Sequence, residues 1–163
     1  GAMSCAVGCP YEGDIAPERV ALLAGLMRGI GVQHVGIADT IGVGTPVKSQ
    51  RALEATLQHY GMDEVSGHFH DTYGQALANT LAFLEMGVWQ FDTAISGLGG
   101  CPYAKGATGN VATEDVVYLL HGMGIETGID MDKLIDAGMF INEFLQRKSG
   151  SRAARALLSK RES

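Results

Sequence analysis

The 163-residue sequence has few cysteines, no excess of positive charge and no long apolar stretch. Cys5, Cys9 and Cys101 are too few and too widely spaced for a disulfide scaffold, which favours a reducing compartment. The formal net charge of -6 argues against a nucleic-acid partner or an anionic membrane surface, because both need clustered lysine and arginine. No apolar run reaches the roughly 20 residues that a membrane-spanning helix needs.

The composition that remains is typical of one globular domain, with 46% hydrophobic and 18% charged residues. Residues 1–3 resemble the remnant of a cleaved tag, because neither a basic stretch nor an apolar signal segment follows them. We therefore expect a domain over residues 4–148 and a polar, basic C-terminal tail over residues 149–163.

Three short β-rich runs each end in a polar residue, and each is followed by a predicted helix. The runs cover residues 32–38, 64–69 and 88–95. Asp39, His68 and Ser96 mark their ends at intervals of roughly 30 residues, about the length of one βα unit. The predicted helices cover residues 17–28, 46–60, 75–86, 114–121 and 131–148, with a weaker one at 153–158.

Alternating strands and helices predict an α/β fold with a parallel sheet and right-handed crossovers. Thr45, Thr113 and Asp130 precede three of the helices and are candidate N-caps. The sheet can be an open doubly wound sheet or a (β/α)8 barrel, and both place their chemistry at the carboxyl ends of the strands. A full barrel needs roughly 250 residues, so a barrel would be present only in part, with about three complete βα units and C-terminal helices.

His68 and His70 lie two residues apart at the end of the second run, so their side chains point to the same face of the strand. Two imidazoles in this position can bind a divalent metal, or they can be hydrogen-bonded within a polar barrel mouth. Asp71 follows them, either as a carboxylate that orients a histidine or as a cap of the next helix.

A glycine-rich loop over residues 96–104 surrounds Cys101. Glycine permits backbone angles and close approaches that other residues resist. The thiol on this loop can serve acid/base or nucleophilic chemistry, and the alternative is a buried, inert thiol in a tight turn. Asn110 ends a second flexible segment and is a candidate oxygen ligand, turn former or cap.

Together these segments resemble the hydroxymethylglutaryl-CoA lyase family. The loop Gly97-Leu-Gly-Gly-Cys-Pro-Tyr-Ala104 is the specific motif, whereas the histidine pair is shared with a wider superfamily of metal-dependent barrel lyases and synthases. The other matching segments lie in order at residues 4–13, 39–46, 68–80 and 106–115. The resemblance covers nearly all of residues 4–150 and implies the C-terminal part of a (β/α)8 TIM barrel.

The resemblance implies reverse Claisen cleavage of 3-hydroxy-3-methylglutaryl-CoA to acetoacetate and acetyl-CoA, as in leucine breakdown. Mg2+ or Mn2+ would be the cofactor, with His68, His70 and Asn110 as its ligands. His68 would also take part in proton transfer, and Cys101 would protonate the acetyl-CoA enolate or relay that proton. Asp39 matches an active-site carboxylate, and its alternative role is to cap the turn that follows it.

The family's Arg-Asp-Glu motif, which supplies the fourth protein ligand of the metal, has no match in this sequence. We therefore expect a weakened metal site and little or no lyase activity from this chain alone. The open edges of a partial barrel invite association, so we also expect a homodimer or another form of self-association.

The expected partner is an acyl-CoA substrate, with no nucleic acid and no membrane. The expected compartment is the cytoplasm or, in a eukaryote, the mitochondrial matrix. Two other functions stay open: an acyl-CoA synthase or aldolase of the same superfamily, and a non-catalytic half-barrel.

Overall fold

The computed structural model describes residues 1–100 and 109–161, and these form two compact units. The first unit contains residues 1–92 with the loop ends Gly100 and Gly109, and the second contains residues 93–99 and 110–161. Cys101 lies outside the described residues. No helix in the described part of the chain is long and apolar enough to cross a membrane.

The first unit is built on a parallel sheet. In chain order its strands are β1 (Ala2–Met3), β2 (Gly8–Cys9), β3 (Gly13–Asp14), β4 (Val35–Asp39), β5 (Val65–Phe69) and β6 (Phe91–Asp92). Its helices are α1 (Pro17–Gly29), α2 (Pro46–Thr56) and α3 (Ala76–Glu85), and a 3-10 turn covers Met62–Glu64. The order β1-β4-β5-β6 is parallel throughout, whereas β2 and β3 pair as a separate antiparallel hairpin.

Strands β4 and β5 pack their apolar side chains against the helices of this unit. Val35 and Ile37 of β4 are fully buried, and Phe69 of β5 contacts Phe83 of α3 with ring centroids 4.9 Å apart. Each such buried side chain contributes about 2 kcal/mol of hydrophobic stabilisation. The polar residues at the ends of these strands are therefore held in place by a well-packed part of the sheet.

Helix α2 ends at Thr56, earlier than predicted. Tyr60 lies after the end of the helix, and its hydroxyl donates a hydrogen bond to the Val32 carbonyl oxygen at 3.1 Å. The Arg28 guanidinium carbon lies 4.1 Å from the centre of the Tyr60 ring, a cation–π contact. Thr45 occupies the cap position of α2, but its side chain makes no capping hydrogen bond.

The second unit is mainly helical. It contains α4 (Thr113–Gly122), α5 (Met131–Phe144) and α6 (Arg152–Arg161), preceded by a 3-10 turn at Ile95–Gly97 and a parallel bridge between Ala94 and Ala112. Helix α6 occupies most of the predicted tail. Its start is fixed by Asp115, whose carboxylate accepts hydrogen bonds from Ser151 Oγ at 2.6 Å and from the Ala153 N–H at 2.7 Å.

The cap predictions for this unit had different outcomes. Asp130 is confirmed as the cap of α5, because its carboxylate accepts hydrogen bonds from the backbone N–H groups two and three residues later. The Thr113 cap is wrong. Ala112 takes the cap position of α4, and the Thr113 hydroxyl pairs instead with that of Thr93 at 2.8 Å.

The third predicted strand and the end of α5 are shorter than expected. Only Phe91–Asp92 of residues 88–95 pair in the sheet, because the backbone soon turns into the 3-10 segment, where Ser96 has a φ of 54°. Helix α5 ends at Phe144 and not near Lys148, because Gln146 adopts a left-handed φ of 51° that a helix cannot continue through.

Candidate metal and catalytic site

The carboxyl ends of β4 and β5 lie side by side in the first unit. Asp39 pairs in register with Phe69, so His68 and His70 flank the position opposite Asp39. The His70 backbone N–H also faces the Asp39 carbonyl oxygen, at 3.4 Å. The structure therefore brings three of the predicted site residues to one edge of the sheet.

The two histidine rings are neighbours. Their centroids are 5.4 Å apart and their planes are inclined by 45°. His70 is buried, whereas about one third of the His68 side chain is exposed. His68 Nδ1 lies 3.4 Å from Asp92 Oδ2, on the register partner of His68 in β6. A proton on Nδ1 would face that carboxylate and leave Nε2 available as a metal ligand.

Sequence reasoning did not identify Asp92. Asp92 lies inside the predicted third strand. The sequence does not indicate that β6 pairs with β5 in a register that places Asp92 opposite His68. His68 and Asp92 line a cleft of about 760 Å³ in the first unit, and Trp89 and His34 line the same cleft. Small side chains from alternate positions of β4 and β5 complete its wall: Gly36, Ala38 and Ser66.

The Asp39 carboxylate is buried and holds the turn that follows β4. It accepts hydrogen bonds from the Val43 N–H at 3.0 Å and from the Gly44 N–H at 2.8 Å. Burial raises the pKa of Asp39 above its ordinary value of 3.8, and the N–H donors of the turn oppose that shift. These contacts match the alternative role predicted for Asp39 as the cap of its own turn.

Asp71 supports the start of α3. Its Oδ1 accepts a hydrogen bond from the Ala76 N–H at 3.1 Å, and its carbonyl oxygen accepts one from the Gly74 N–H at 3.0 Å. Gln75 occupies the cap position of α3, so Asp71 reaches the first helical N–H from outside that position.

Asn110 lies in the second unit, at the base of the glycine-rich loop. Its Nδ2 donates a hydrogen bond to the Leu98 carbonyl oxygen at 2.8 Å. A Cβ atom at Gly99 would lie 2.6 Å from Asn110 Nδ2, and one at Gly97 would lie 3.2 Å from the Asn110 carbonyl oxygen. The two glycines of the loop thus leave room for Asn110 to approach its backbone.

The other side-chain atom of Asn110 fits a ligand role. Oδ1 is buried and has no hydrogen-bond partner among residues 1–100 and 109–161. A buried amide oxygen of this kind needs a donor or a cation. Because Nδ2 is committed to Leu98, the hydrogen bond also fixes which end of the amide is the acceptor.

The predicted metal donors are thus two imidazoles in the first unit and one amide oxygen in the second. These are donor types that Mg2+ and Mn2+ accept in proteins. Within the described ranges, no group of three or more His, Cys, Asp or Glu residues is arranged to hold a metal. The residues therefore fit the cation by donor type, and Asn110 Oδ1 is one of several buried side-chain atoms without a hydrogen-bond partner in the described part of the chain.

Comparison with known proteins places this geometry in a family. A family model described as HMGL-like matches residues 1–141. The 3-hydroxy-3-isohexenylglutaryl-CoA/hydroxy-methylglutaryl-CoA lyase of Pseudomonas aeruginosa is 54% identical over 160 residues, which are 98% of this chain and 53% of that protein. The mitochondrial hydroxymethylglutaryl-CoA lyase of Mus musculus is 51% identical over 156 residues, 96% of this chain and 48% of that protein.

Solved structures agree. The crystal structure of the Pseudomonas aeruginosa hydroxymethylglutaryl-CoA lyase aligns with a TM-score of 0.93 and covers 98% of this chain and 53% of that one. An Acinetobacter baumannii HMG-CoA lyase in complex with coenzyme A and 3-methylmalate aligns with a TM-score of 0.91 at 38% identity, covering 96% of this chain and 51% of that one.

The fold is an α/β fold with a parallel sheet, and its match to the lyase structures over about half of their length confirms the predicted barrel class. The chain belongs to the HMGL-like family. It spans about half the length of the curated relatives that it matches.

Proposed function

We propose that this chain carries the metal-binding and proton-transfer residues of a hydroxymethylglutaryl-CoA lyase, which cleaves 3-hydroxy-3-methylglutaryl-CoA to acetoacetate and acetyl-CoA. The observation that carries the metal-binding part of the proposal is the pair of His68 and His70 rings, 5.4 Å apart at the carboxyl end of β5. The 54% identity to the Pseudomonas aeruginosa lyase supports an acyl-CoA substrate. The name of that relative also includes 3-hydroxy-3-isohexenylglutaryl-CoA. The choice of the methylglutaryl thioester as the substrate of this chain is therefore itself proposed.

Mg2+ or Mn2+ is the proposed cofactor, with His68, His70 and Asn110 as its ligands. When bound, the cation supplies Lewis acidity that makes the C3 hydroxyl of the substrate easier to deprotonate. Asp92 supports this role because its carboxylate, 3.4 Å from His68 Nδ1, favours a proton on that nitrogen and leaves Nε2 for ligation. Leu98 supports it by holding the Asn110 amide with its oxygen free to ligate.

Cleavage moves one proton off the substrate hydroxyl and one proton onto the new acetyl group. His68 takes part in the first transfer together with Asp92: the hydroxyl proton goes to the Asp92 carboxylate, which lies 3.4 Å from His68 Nδ1, as the C3–O bond becomes the ketone of acetoacetate and the C2–C3 bond breaks. The electron pair of that bond passes into the enolate of the acetyl-CoA thioester. Cys101 donates its thiol proton to the enolate carbon or relays it there. Asp39 is the proposed active-site carboxylate, at the end of β4, the strand that pairs with β5.

Metal binding is tested by Mn2+ titration of the tryptophan fluorescence. Trp89 is the only tryptophan and lines the same cleft as His68, so bound Mn2+, a paramagnetic ion, is expected to quench it. His68→Ala and His70→Ala should each abolish saturable quenching. His34→Ala removes another histidine of the same cleft and is the matched control, which should leave the quenching curve unchanged. Equal loss in all three variants would contradict the assignment.

Cleavage is tested by an acetoacetate assay. Because the relatives are about twice as long as this chain, we expect little turnover from the chain alone and more after addition of the remaining half of the Pseudomonas aeruginosa relative. Cys101→Ala should remove that gained turnover, whereas Cys9→Ala should not. Cleavage that survives Cys101→Ala in the mixture would overturn the role proposed for Cys101.

We also propose self-association, as a homodimer, and a cytoplasmic location. Helix α1 supports association, because Leu22 and Leu26 are exposed on it and Ile30 is exposed just after it, and such apolar surface favours contact with another chain. Light scattering at high concentration tests this, and a monomer would contradict it. The relatives include bacterial and mitochondrial enzymes, so localisation of a tagged chain in its own cells decides the compartment.

A further inference from the structure

Ser96 lies at the centre of a buried polar network in the second unit. The residue is 1% exposed, and its φ of 54° places it in the left-handed region that glycine favours. A residue other than glycine keeps this conformation only where its surroundings fix it. Ser96 is the first residue of the glycine-rich loop over residues 96–104, so what fixes Ser96 also fixes the start of that loop.

Glu114 of α4 is the main contact of Ser96. Both carboxylate oxygens accept the Ser96 backbone N–H, at 3.0 and 2.9 Å, and Ser96 Oγ donates to Oε1 at 3.3 Å. The Glu114 side chain is fully buried and so has no water to replace this partner. Asn142 Nδ2 donates to Ser96 Oγ at 2.7 Å, and the Gly150 N–H donates to the Ser96 carbonyl oxygen at 3.0 Å.

Helix α5 packs on this network and has a glycine, Gly138, at the point of contact. A Cβ atom at Gly138 of α5 would lie 2.8 Å from Ser96 Oγ and 2.9 Å from Glu114 Oε1. With the Gly150 contact included, all three polar groups of Ser96 are engaged: the amide, the hydroxyl and the carbonyl. The conformation of Ser96 is therefore determined from several elements at once.

Two residues after Ser96, the chain reaches the carbonyl that holds Asn110. The Leu98 N–H donates to the Ile95 carbonyl oxygen at 3.0 Å across the turn centred on Ser96, and the Leu98 carbonyl oxygen accepts from Asn110 Nδ2 at 2.8 Å. Reversal of the Asn110 amide would present two N–H donors where Oδ1 now lies, and a cation repels such donors. The direction of the Leu98 carbonyl thus decides which atom Asn110 offers.

We propose that Glu114 is a positioning residue for Asn110: by fixing Ser96 it directs the Leu98 carbonyl to Asn110 Nδ2, which leaves Asn110 Oδ1 as the acceptor for a divalent cation. The identity of the ligand as a cation rests on the proposed function. The chain of contacts from Glu114 to the Asn110 amide does not.

Glu114→Gln tests the proposal, because it keeps the size of the side chain and replaces one acceptor with a donor that faces the Ser96 N–H. The Asn110 side-chain amide is observed by 15N–1H NMR and assigned through its loss in Asn110→Asp. We expect its hydrogen exchange to become at least about tenfold faster in Glu114→Gln and the Kd for Mn2+ to rise about tenfold.

Asp115→Asn is the matched control. Asp115 is the neighbouring buried carboxylate on α4, but its contacts hold Ser151 and the start of α6, so neither the Asn110 amide nor the Mn2+ affinity should change. If Glu114→Gln does not fold, Ser96→Gly replaces it, because glycine suits the backbone angle and removes only the hydroxyl contacts. A smaller increase in Asn110 amide exchange is then expected.

Unchanged Asn110 amide exchange in folded Glu114→Gln or, failing that, in Ser96→Gly would overturn the proposal, as would an equal change in Asp115→Asn. Absence of Mn2+ binding in the unsubstituted chain would contradict the proposed function instead. In that case the amide exchange still decides the role of Glu114.

Discussion

Asp39 and Glu114 both stabilise a turn, but Asp39 does so within its own loop and Glu114 through a contact with a distant part of the sequence. Each is a buried carboxylate that accepts backbone N–H groups of a turn beside a predicted site residue. Asp39 holds the turn that follows it directly, through residues four and five positions later. Glu114 holds a residue 18 positions earlier, so its contact forms only when α4 has packed against the loop.

This difference determines how each turn can respond to loss of its carboxylate. The turn after Asp39 closes a short loop of chain, and its N–H donors can find water if that loop opens locally. The Ser96 N–H lies in the interior of the second unit, where four further contacts hold the residue in place. Removal of Glu114 therefore leaves a donor buried with no replacement, which costs more.

The largest effect is expected for Glu114→Ala. An unsatisfied buried N–H and the cavity left by the side chain together should lower the free energy of unfolding by about 4 kcal/mol. Urea unfolding followed by far-ultraviolet circular dichroism measures this change. Glu143→Ala, on an exposed position of α5, is the control and should be close to neutral. A loss below about 1 kcal/mol for Glu114→Ala would contradict the expectation that removal of Glu114 costs more than removal of Asp39.

Asp39→Ala should have a smaller effect, about 2 kcal/mol, because two N–H donors lose their acceptor in a turn that can open to water. Asp39→Asn keeps one acceptor oxygen and should lose about half as much. Trp89 fluorescence during urea unfolding reports on the first unit, in which Asp39 lies. A loss larger than that of Glu114→Ala would reverse the order of the two carboxylates.

The glycines that face the two carboxylates allow a finer comparison. A Cβ atom would lie 2.7 Å from Asp39 Oδ2 at Gly44 and 2.9 Å from Glu114 Oε1 at Gly138. Gly44→Ala should cost about 2 kcal/mol by overpacking. Gly138→Ala should cost about 1 kcal/mol, because the higher helix propensity of alanine offsets part of the same clash.

The control for both substitutions is Gly122→Ala at the end of α4, where an added Cβ would meet nothing within 4 Å. Thermal unfolding of the three variants measures the order. Equal Tm values for Gly138→Ala and Gly122→Ala would show that the space around Glu114 is less restricted than the distances indicate.

The features that sequence predicted correctly are those that depend on neighbours along the chain. The alternation of strands and helices and the position of α1 follow from proline, glycine and the apolar pattern. The His68 and His70 pair follows from the two-residue period of a strand. The Asp39 turn belongs with these, because its donors come from the same short segment.

The features that sequence did not predict depend on contacts between distant elements. Glu114 reads as an ordinary first-turn residue of a helix, and nothing nearby indicates that Ser96 is its partner. Asp92 acquires its role only through the register of β6 with β5. Thr113 has the right residue type for a cap, but the Thr93 hydroxyl competes for it from the other side of the bridge.

The smallest effect concerns Asp130, a contact that sequence did predict. Hydrogen bonds to its carboxylate, first from the Lys133 N–H and also from the Asp132 N–H, lower the pKa of Asp130 below its ordinary value of 3.8. A folded-state pKa below the unfolded value stabilises the fold above pH 3.8, and this contribution is lost as the pH falls through the lowered pKa.

Asp130→Asn separates that charge-dependent contribution from capping itself, because asparagine caps a helix about as well and does not titrate. The unsubstituted chain should therefore be slightly more stable than Asp130→Asn at neutral pH, and the difference should shrink as the pH falls below 3.8. Urea unfolding across this pH range measures it. A difference that stays constant down to the acid limit would mean that the exposed carboxylate acts only as a hydrogen-bond acceptor. The local cap would then work as the Asp39 turn does, through its geometry and not through its charge.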